Sequence, residues 1–311
     1  MSAPDTPRAP EAPAAPRRSF YEASARQRVR GLFDAGSVHE WLPPSERMTS
    51  PHLEQLGLPR ALDDGIVIGR AALQGRPVLF AAEEPGFMGG SVGEVHGAKL
   101  TGLLERAARD RPAAAVLLLD TGGVRLHEAN AGLIAISEIQ RAVFAARAAG
   151  VPVIVVSAGA NGCYGGLGIV ARCCDHIVMT EEGRLSVSGP EVIESQKGVE
   201  EFDARDRALV WRTMGGKHRY LLGEADGFAL DDMDDLRRAV AACFDRPVPL
   251  TLESVEREHA ALGRRLERFG QAGDAVEIWS ALGVDDPRAL PLLDKDDFLA
   301  LAERVRERSD A

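Results

Sequence analysis

What most limits the folds open to this 311-residue chain is a local pattern that occurs twice. A run of apolar residues passes into a Gly-Gly pair and then into a segment of helical periodicity. The first copy is VLLLDTGGVRLHEANAGL, with Gly122 and Gly123, and the second is VPVIVVSAGANGCYGGLGIVA, with Gly165 and Gly166. Gly123 and Gly166 lie 43 positions apart, about one strand-helix-strand excursion. Continuous apolar runs of this length suit strands buried on both faces, and strands alternating with helices predict an α/β fold with a largely parallel central sheet.

The flanking segments agree. After Gly97, Leu100, Leu103, Leu104, Ala107 and Ala108 fall at helical spacing, and Pro112 blocks continuation before the strand AAAVLLL. Ile136, Ile139 and Val143 mark a helix ending at Gly150, followed by the strand Val151–Val156. Upstream, GIVIGRAAL and PVLFAA, separated by Gln74-Gly75-Arg76, predict a hairpin. From Ser19 to Trp41 the composition is helical, with Arg26, Arg28 and Arg30 on a solvated face, Val29, Leu32 and Phe33 on a buried one, and Gly36 as the expected stop.

Three regions follow. Residues 1–18 contain five prolines and almost nothing bulky, so they are expected to form a disordered Pro/Ala-rich tail. Residues 19–245 form the α/β domain. Residues 246–311 are expected to be a helical appendage, in which Leu252, Val255, Leu262, Leu266 and Phe269 share one stripe with His259 and pack against the domain or a partner subunit.

Composition narrows the function. The chain is 45% hydrophobic and 27% charged, enough for a sizeable core, yet no apolar stretch approaches the roughly 20 residues of a membrane-spanning helix. With 47 acidic against 37 basic residues, a formal charge of −10, the average surface repels nucleic acid and anionic lipid. An anionic substrate must therefore meet a local basic patch. Cys163, Cys173, Cys174 and Cys243 show no CxxC spacing, so no metal site is expected, and without a hydrophobic signal segment the expected compartment is the cytoplasm.

Glycine at a strand-to-helix junction lets bare backbone approach a ligand, and the first amides of a helix lack internal acceptors and sit at its positive end. Such an anion hole suits a thioester oxygen that becomes an enolate, where one donor is worth about 3 kcal/mol of barrier. Either pair alone is explained as a tight turn; two pairs at this spacing favour the functional reading. A third cluster, Phe87 to Gly97, includes Gly89 and Gly90 as further substrate contacts, but its spacing does not fit GxGxxG and a nicotinamide site is not expected.

The motifs ARQRVRGLFDAGSVHEW, FMGGSVGEVHGAKL, DTGGVRLHEA, NGCYGGLGIVA and SGPEVIE, in that order, resemble the carboxyltransferase branch of the crotonase superfamily from Ser19 to about Asp235. Within it, GVEEFDARDRALVWRTMGGKHRYLLGEAD is similar to the beta subunits of biotin-independent malonate decarboxylases. The resemblance implies a crotonase-like spiral of ββα units, with Gly122-Gly123 and Gly165-Gly166 as oxyanion-hole loops. It implies a gamma subunit of related fold, with catalysis at the shared interface, and a role in malonate catabolism. The implied substrate is a malonyl thioester on the CoA-like prosthetic group of an acyl carrier protein, decarboxylated to the acetyl thioester with no cofactor bound by this chain and no biotin. The four-cysteine zinc ribbon of bacterial acetyl-CoA carboxylase beta subunits and any biotin-attachment motif are absent from the sequence.

Loss of CO2 from such a thioester leaves an enolate, for which amides at Gly123 and Gly166 or their neighbours are the expected donors. His96, His127, Glu128 and Tyr164 are motif-adjacent candidates for protonating carbon, although a cap, turn or core role suits each of them as well. Tyr164 also adjoins the second glycine pair as a substrate contact. Arg125 is placed to attract a carboxylate or phosphate, and Lys217, His218 and Arg219 to meet the prosthetic-group phosphates or the acidic carrier; surface salt bridges account for them nearly as well. Cys163 reads as a packing residue, Glu191 and Glu194 as helix-orienting or acid-base groups, and Asp231 to Asp235 as a solvated helix start. The competing readings are a biotin-dependent acyl-CoA carboxyltransferase subunit and a noncatalytic scaffold. No Ser-His-Asp set is evident.

Overall fold

The computed structural model describes residues 18–246 and 248–306. The expected N-terminal tail, apart from Arg18, lies outside the described residues, as do the last five residues of the appendage. In chain order the elements are α1 (Ala25–Leu32), β1 (His39–Trp41), α2 (Pro51–Gln55), β2 (Ile66–Leu73), β3 (Arg76–Glu83), α3 (Glu94–Asp110), β4 (Ala114–Leu119), α4 (Asn130–Ala148), β5 (Val153–Ser157), α5 (Gly165–Cys173) and β6 (His176–Thr180). They continue with α6 (Pro190–Lys197), α7 (Arg207–Met214), α8 (Gly216–Leu221), β7 (Gly227–Ala229), α9 (Met233–Ala241), α10 (Leu252–Phe269), α11 (Ala275–Ala281) and α12 (Lys295–Val305).

The strands form one sheet in the order of the sequence. β1, β2 and β3 pair antiparallel, and β3 to β7 pair parallel. Alternate residues of the apolar runs serve opposite layers. Ala115, Leu117 and Leu119 join α3, α4 and α5 in one core, while Ala114, Val116 and Leu118 join α1 and α9 in the other. Burial on both faces explains why these strands read as unbroken apolar runs.

Beyond β3, β4, β5 and β6 the chain does not enter its helix directly. It first makes a single backbone bridge to the neighbouring unit: Val92 to Val124, Thr121 to Cys163, Cys163 to Leu185 and Arg184 to Gly215. Strand, bridge and helix form the repeating unit, and the glycine pairs sit at the bridges.

Several expectations are corrected. The N-terminal helix covers only Ala25–Leu32; Phe33 is already extended, and His39–Trp41 forms the edge strand. Gly36, at φ 76°, makes a reversing turn after the helix instead of stopping it. Arg28 is not solvated but wholly buried, because Asp120 faces its charge and its guanidinium lies over the Phe20 ring. The hairpin turn is Gln74-Gly75 alone, both with positive φ as a type I′ turn requires, and Arg76 already pairs with Leu73. Asp231 is no mere solvated residue, since its carboxylate accepts from the amides of Phe20 and Tyr21, while Asp232 caps α9.

The C-terminal helices close on a third cluster, in which Trp279, Leu290, Phe298 and Ala302 meet Leu221 and Phe228 of the domain. On α10 only Phe269 of the predicted stripe is buried; Leu252, Val255, Leu262 and Leu266 stay exposed, as does His259. The stripe therefore does not pack on its own domain. Among the described residues, no helix is long and apolar enough to cross a membrane.

Candidate functional site

The loops that follow β3, β4 and β5 meet at the carboxyl ends of the parallel strands, where open α/β sheets place their ligand sites. Gly89 and Gly90 follow β3, Gly122 and Gly123 follow β4, and Gly165 and Gly166 open α5 after β5. The three clusters are joined by backbone. The Gly122 amide donates to Gly89 O at 2.9 Å, Thr121 N to Gly162 O at 2.7 Å, and Tyr164 N to Thr121 O at 3.1 Å. The two pairs also approach each other directly: a Cβ on Gly165 would lie 3.0 Å from the Gly123 Cα.

The two pairs differ in what they offer a ligand. Gly122 and Gly123 do not open a helix, because a short turn at Leu126–Glu128 intervenes before α4. The Gly123 amide is engaged by Thr121 Oγ1 at 3.0 Å and the Gly165 amide by Val187 O at 2.8 Å. Gly166 is the second residue of α5, so its amide has no acceptor within the helix and lies at the positive end. Of the two amides proposed from sequence, Gly123's is held internally and Gly166's stands at an open helix start.

The acid-base candidates are placed very differently. His96 is wholly buried, with Nε2 3.3 Å from Glu83 Oε1 but no directed hydrogen bond. Burial pushes the Glu83 carboxyl well up, and burial with Arg125 nearby holds the His96 imidazole well below its usual range. Burial thus disfavours the charged form of each. Glu128 is buried too, accepting from Glu94 N at 2.6 Å and from Arg125. His127 is exposed. Tyr164 caps the start of α5 with its hydroxyl buried and unpartnered, and burial pushes it up to about 12. The Cys163 thiol is likewise pushed well up by burial, so it is no thiolate nucleophile. Cys174 is buried, but Cys173 is only half-buried at the end of α5. Glu191 lies exposed in the first turn of α6, and Glu194 accepts from Ala204 N.

The predicted cations are not open to an anion. Arg125 is buried, donating to both the carboxylate and the backbone oxygen of Asp64 at 2.8 Å and to Glu128. Lys217 donates to Glu181 and to the backbone of Pro291 and Leu293; His218 accepts from Trp279 Nε1 at 3.1 Å; Arg219 pairs with Glu224. Instead of a phosphate site, Lys217 and His218 latch the C-terminal helices to the domain. Among the described residues, no three His, Cys, Asp or Glu side chains are grouped to hold a metal ion.

Sequence reasoning missed the groups beneath the loops. Glu83 ends β3, Asp120 follows β4 and Arg28 lies within α1, in segments that look purely apolar or purely surface, and only the tertiary fold brings them together. It also missed a rim of exposed apolar side chains beside the glycines: Leu126 at 83%, Val187 at 63% and Ile134 at 62% exposure, with Leu133 and Ile169 close by in the chain.

A parallel sheet whose strands end in bridged glycine turns, with an open helix start between them, defines a class. Residues 22–257 match the family described as the carboxyl transferase domain, and the chain belongs to that family. Its architecture is the crotonase-like one expected from the motifs. The malonyl-S-ACP:biotin-protein carboxyltransferase of Malonomonas rubra is 37% identical over 93% of this chain and 97% of that protein. A Pseudomonas malonate decarboxylase hetero-tetramer, solved in complex with malonate, contains a chain 43% identical to this one. That match has a TM-score of 0.79 and covers 85% of this chain and 97% of the other. The transcarboxylase 12S structure, at 26% identity and a TM-score of 0.58, covers 70% of this chain and 40% of that one. The chain is a carboxyl-transferring or decarboxylating enzyme subunit, resembling those of malonate decarboxylases.

Proposed function

We propose that this chain is the beta subunit of a malonyl-S-acyl-carrier-protein decarboxylase that works with a gamma subunit in malonate catabolism. The observation that carries the reading is the contact between the two glycine turns, which leaves the first-turn amide of Gly166 open beside an apolar rim. When the bond to the carboxylate carbon breaks, its electron pair forms the enolate double bond and the carbonyl pair moves onto oxygen. Gly166, and Leu167 behind it, are the amides that receive this charge. The apolar surroundings weaken hydration of the departing carboxylate. No nucleophile is needed, in keeping with a protonated Cys163.

Carbon is then protonated. His96 and Glu128 are engaged below the surface, and Tyr164 holds its proton tightly, so the donor is water, His127 or a group on the partner. The rim at Leu126, Ile134 and Val187 suits the partner subunit, which closes the site from above. A second Pseudomonas malonate decarboxylase structure, an MdcD-MdcE hetero-dimer, supports such pairing; its matching chain is 42% identical with a TM-score of 0.65. Because Arg125, Lys217, His218 and Arg219 are engaged within the chain, the carrier's phosphates are met by other groups.

The Malonomonas rubra relative, a carboxyltransferase acting on a biotin protein, favours a second reading, in which the same amides serve transfer of the carboxyl group to biotin. Reconstituted subunits with a malonyl thioester carrier decide between the two. CO2 release that persists when avidin sequesters biotin supports the decarboxylase, and complete block supports the transferase.

A further inference from the structure

We propose that Asp120 is the positioning residue that locks the two glycine turns into one arrangement, an inference that rests on the enolate-stabilising role given to those turns. Asp120 is the last residue before Thr121-Gly122-Gly123, and it is wholly buried. Its Oδ1 accepts from the Asn161 amide at 2.6 Å, which is the start of the turn leading through Tyr164 to Gly165-Gly166. One carboxylate thus belongs to the first turn and holds the second.

The rest of the residue is fixed from every side. Its own amide donates to Glu83 Oε2 at 2.6 Å, tying it to the end of β3. Its Oδ2 lies 2.7 Å from Arg28 Nη2, a buried charge contact at an angle that does not make a directed hydrogen bond. Arg28 is in turn held by the backbone oxygens of Phe20 and Tyr21, whose amides Asp231 binds. Two glycines leave the space: a Cβ on Gly90 would overlap the Asp120 carbonyl oxygen, and one on Gly159 would overlap the Asp120 carboxylate. A buried acid held this closely costs desolvation unless its oxygens are paired, and here the Asn161 amide on the second turn and the Arg28 guanidinium on α1 face them.

Asp120→Asn and Asp120→Ala separate positioning from stability in the complex reconstituted with its partner subunit. Both leave Arg28 without its counter-charge and both lower the melting temperature, but only the alanine removes the acceptor for Asn161. The expected result is a kcat for Asp120→Ala about tenfold or more below that of Asp120→Asn, with KM within about threefold, the pattern of an interaction made in the transition state. Equal kcat values, or a loss confined to KM, overturn the proposal. Should the alanine variant not fold, the same pair in an Arg28→Met background gives the comparison with no charge left unpaired. If the wild-type complex releases no CO2 from a malonyl thioester, the functional reading falls. Amide hydrogen exchange of residues 161–167 then decides positioning alone: rates about tenfold faster in the alanine than in the asparagine variant support it, and equal rates overturn it.

Discussion

The contact between the two turns exists because Gly123 and Gly165 carry only hydrogen. Gly165 has φ 62° and Gly123 φ 130°, and an added Cβ on Gly165 would press on the Gly123 backbone. Gly165→Ala is therefore expected to lower the free energy of unfolding by about 1–2 kcal/mol from the backbone conformation alone. The neighbouring Gly122 is exposed, outside the left-handed region, and would meet nothing nearer than Gly89 O at 3.7 Å. Gly122→Ala should change stability by no more than about 0.5 kcal/mol. Urea denaturation of the two variants checks the contrast, and an equal or larger loss at Gly122 would remove the packing argument. At this scale the glycines were legible in the sequence because their shape is their function. Arg125 was not: a cation beside a glycine pair looks the same whether it faces solvent or, as here, Asp64.

At the scale of elements, α3 and α4 lie against each other with almost no spacer. A Cβ on Gly97 would overlap the Ala135 Cβ, and α4 also presses Ile136 on Gly166, where an added Cβ would find it at 2.5 Å. Forcing the two helices apart therefore strains the floor of the site. Gly97→Ala is expected to cost about 1–3 kcal/mol through overpacking, and Ala135→Gly in the same chain to restore most of it. Chemical denaturation of the single and double variants measures the recovery; a double variant no more stable than Gly97→Ala would place the strain elsewhere. The helical spacing of Leu100, Leu103 and Ile139 predicted both helices, since a buried face has a period that composition records. On α10 the same periodicity predicted a stripe but not its partner, because amphipathicity reports that a face avoids water and not what covers it.

For the whole molecule, the C-terminal helices are joined to the domain by a group that titrates. Burial, with Arg219 adjoining, lowers His218 to about 3, and its Nδ1 accepts from Trp279. The unfolded chain has the ordinary histidine value near 6.5, so between about 6.5 and 3 it binds more protons than the folded one. Stability from this group is therefore complete above pH 6.5 and falls as the solution is acidified, by up to about 1.4 kcal/mol per pH unit. Trp279 fluorescence should report the loosening, and His218→Phe should flatten the slope; an unchanged slope would assign the pH dependence to other groups. By itself the sequence determined the alternation of strand and helix, the glycine turns and the family, because these depend on local periodicity and on residues with singular backbone freedom. Only the tertiary structure decided which charges face a ligand. Arg125, Lys217 and His218 became structural, and Asp120 became central, because burial and neighbours distant in the chain set what a polar side chain can do.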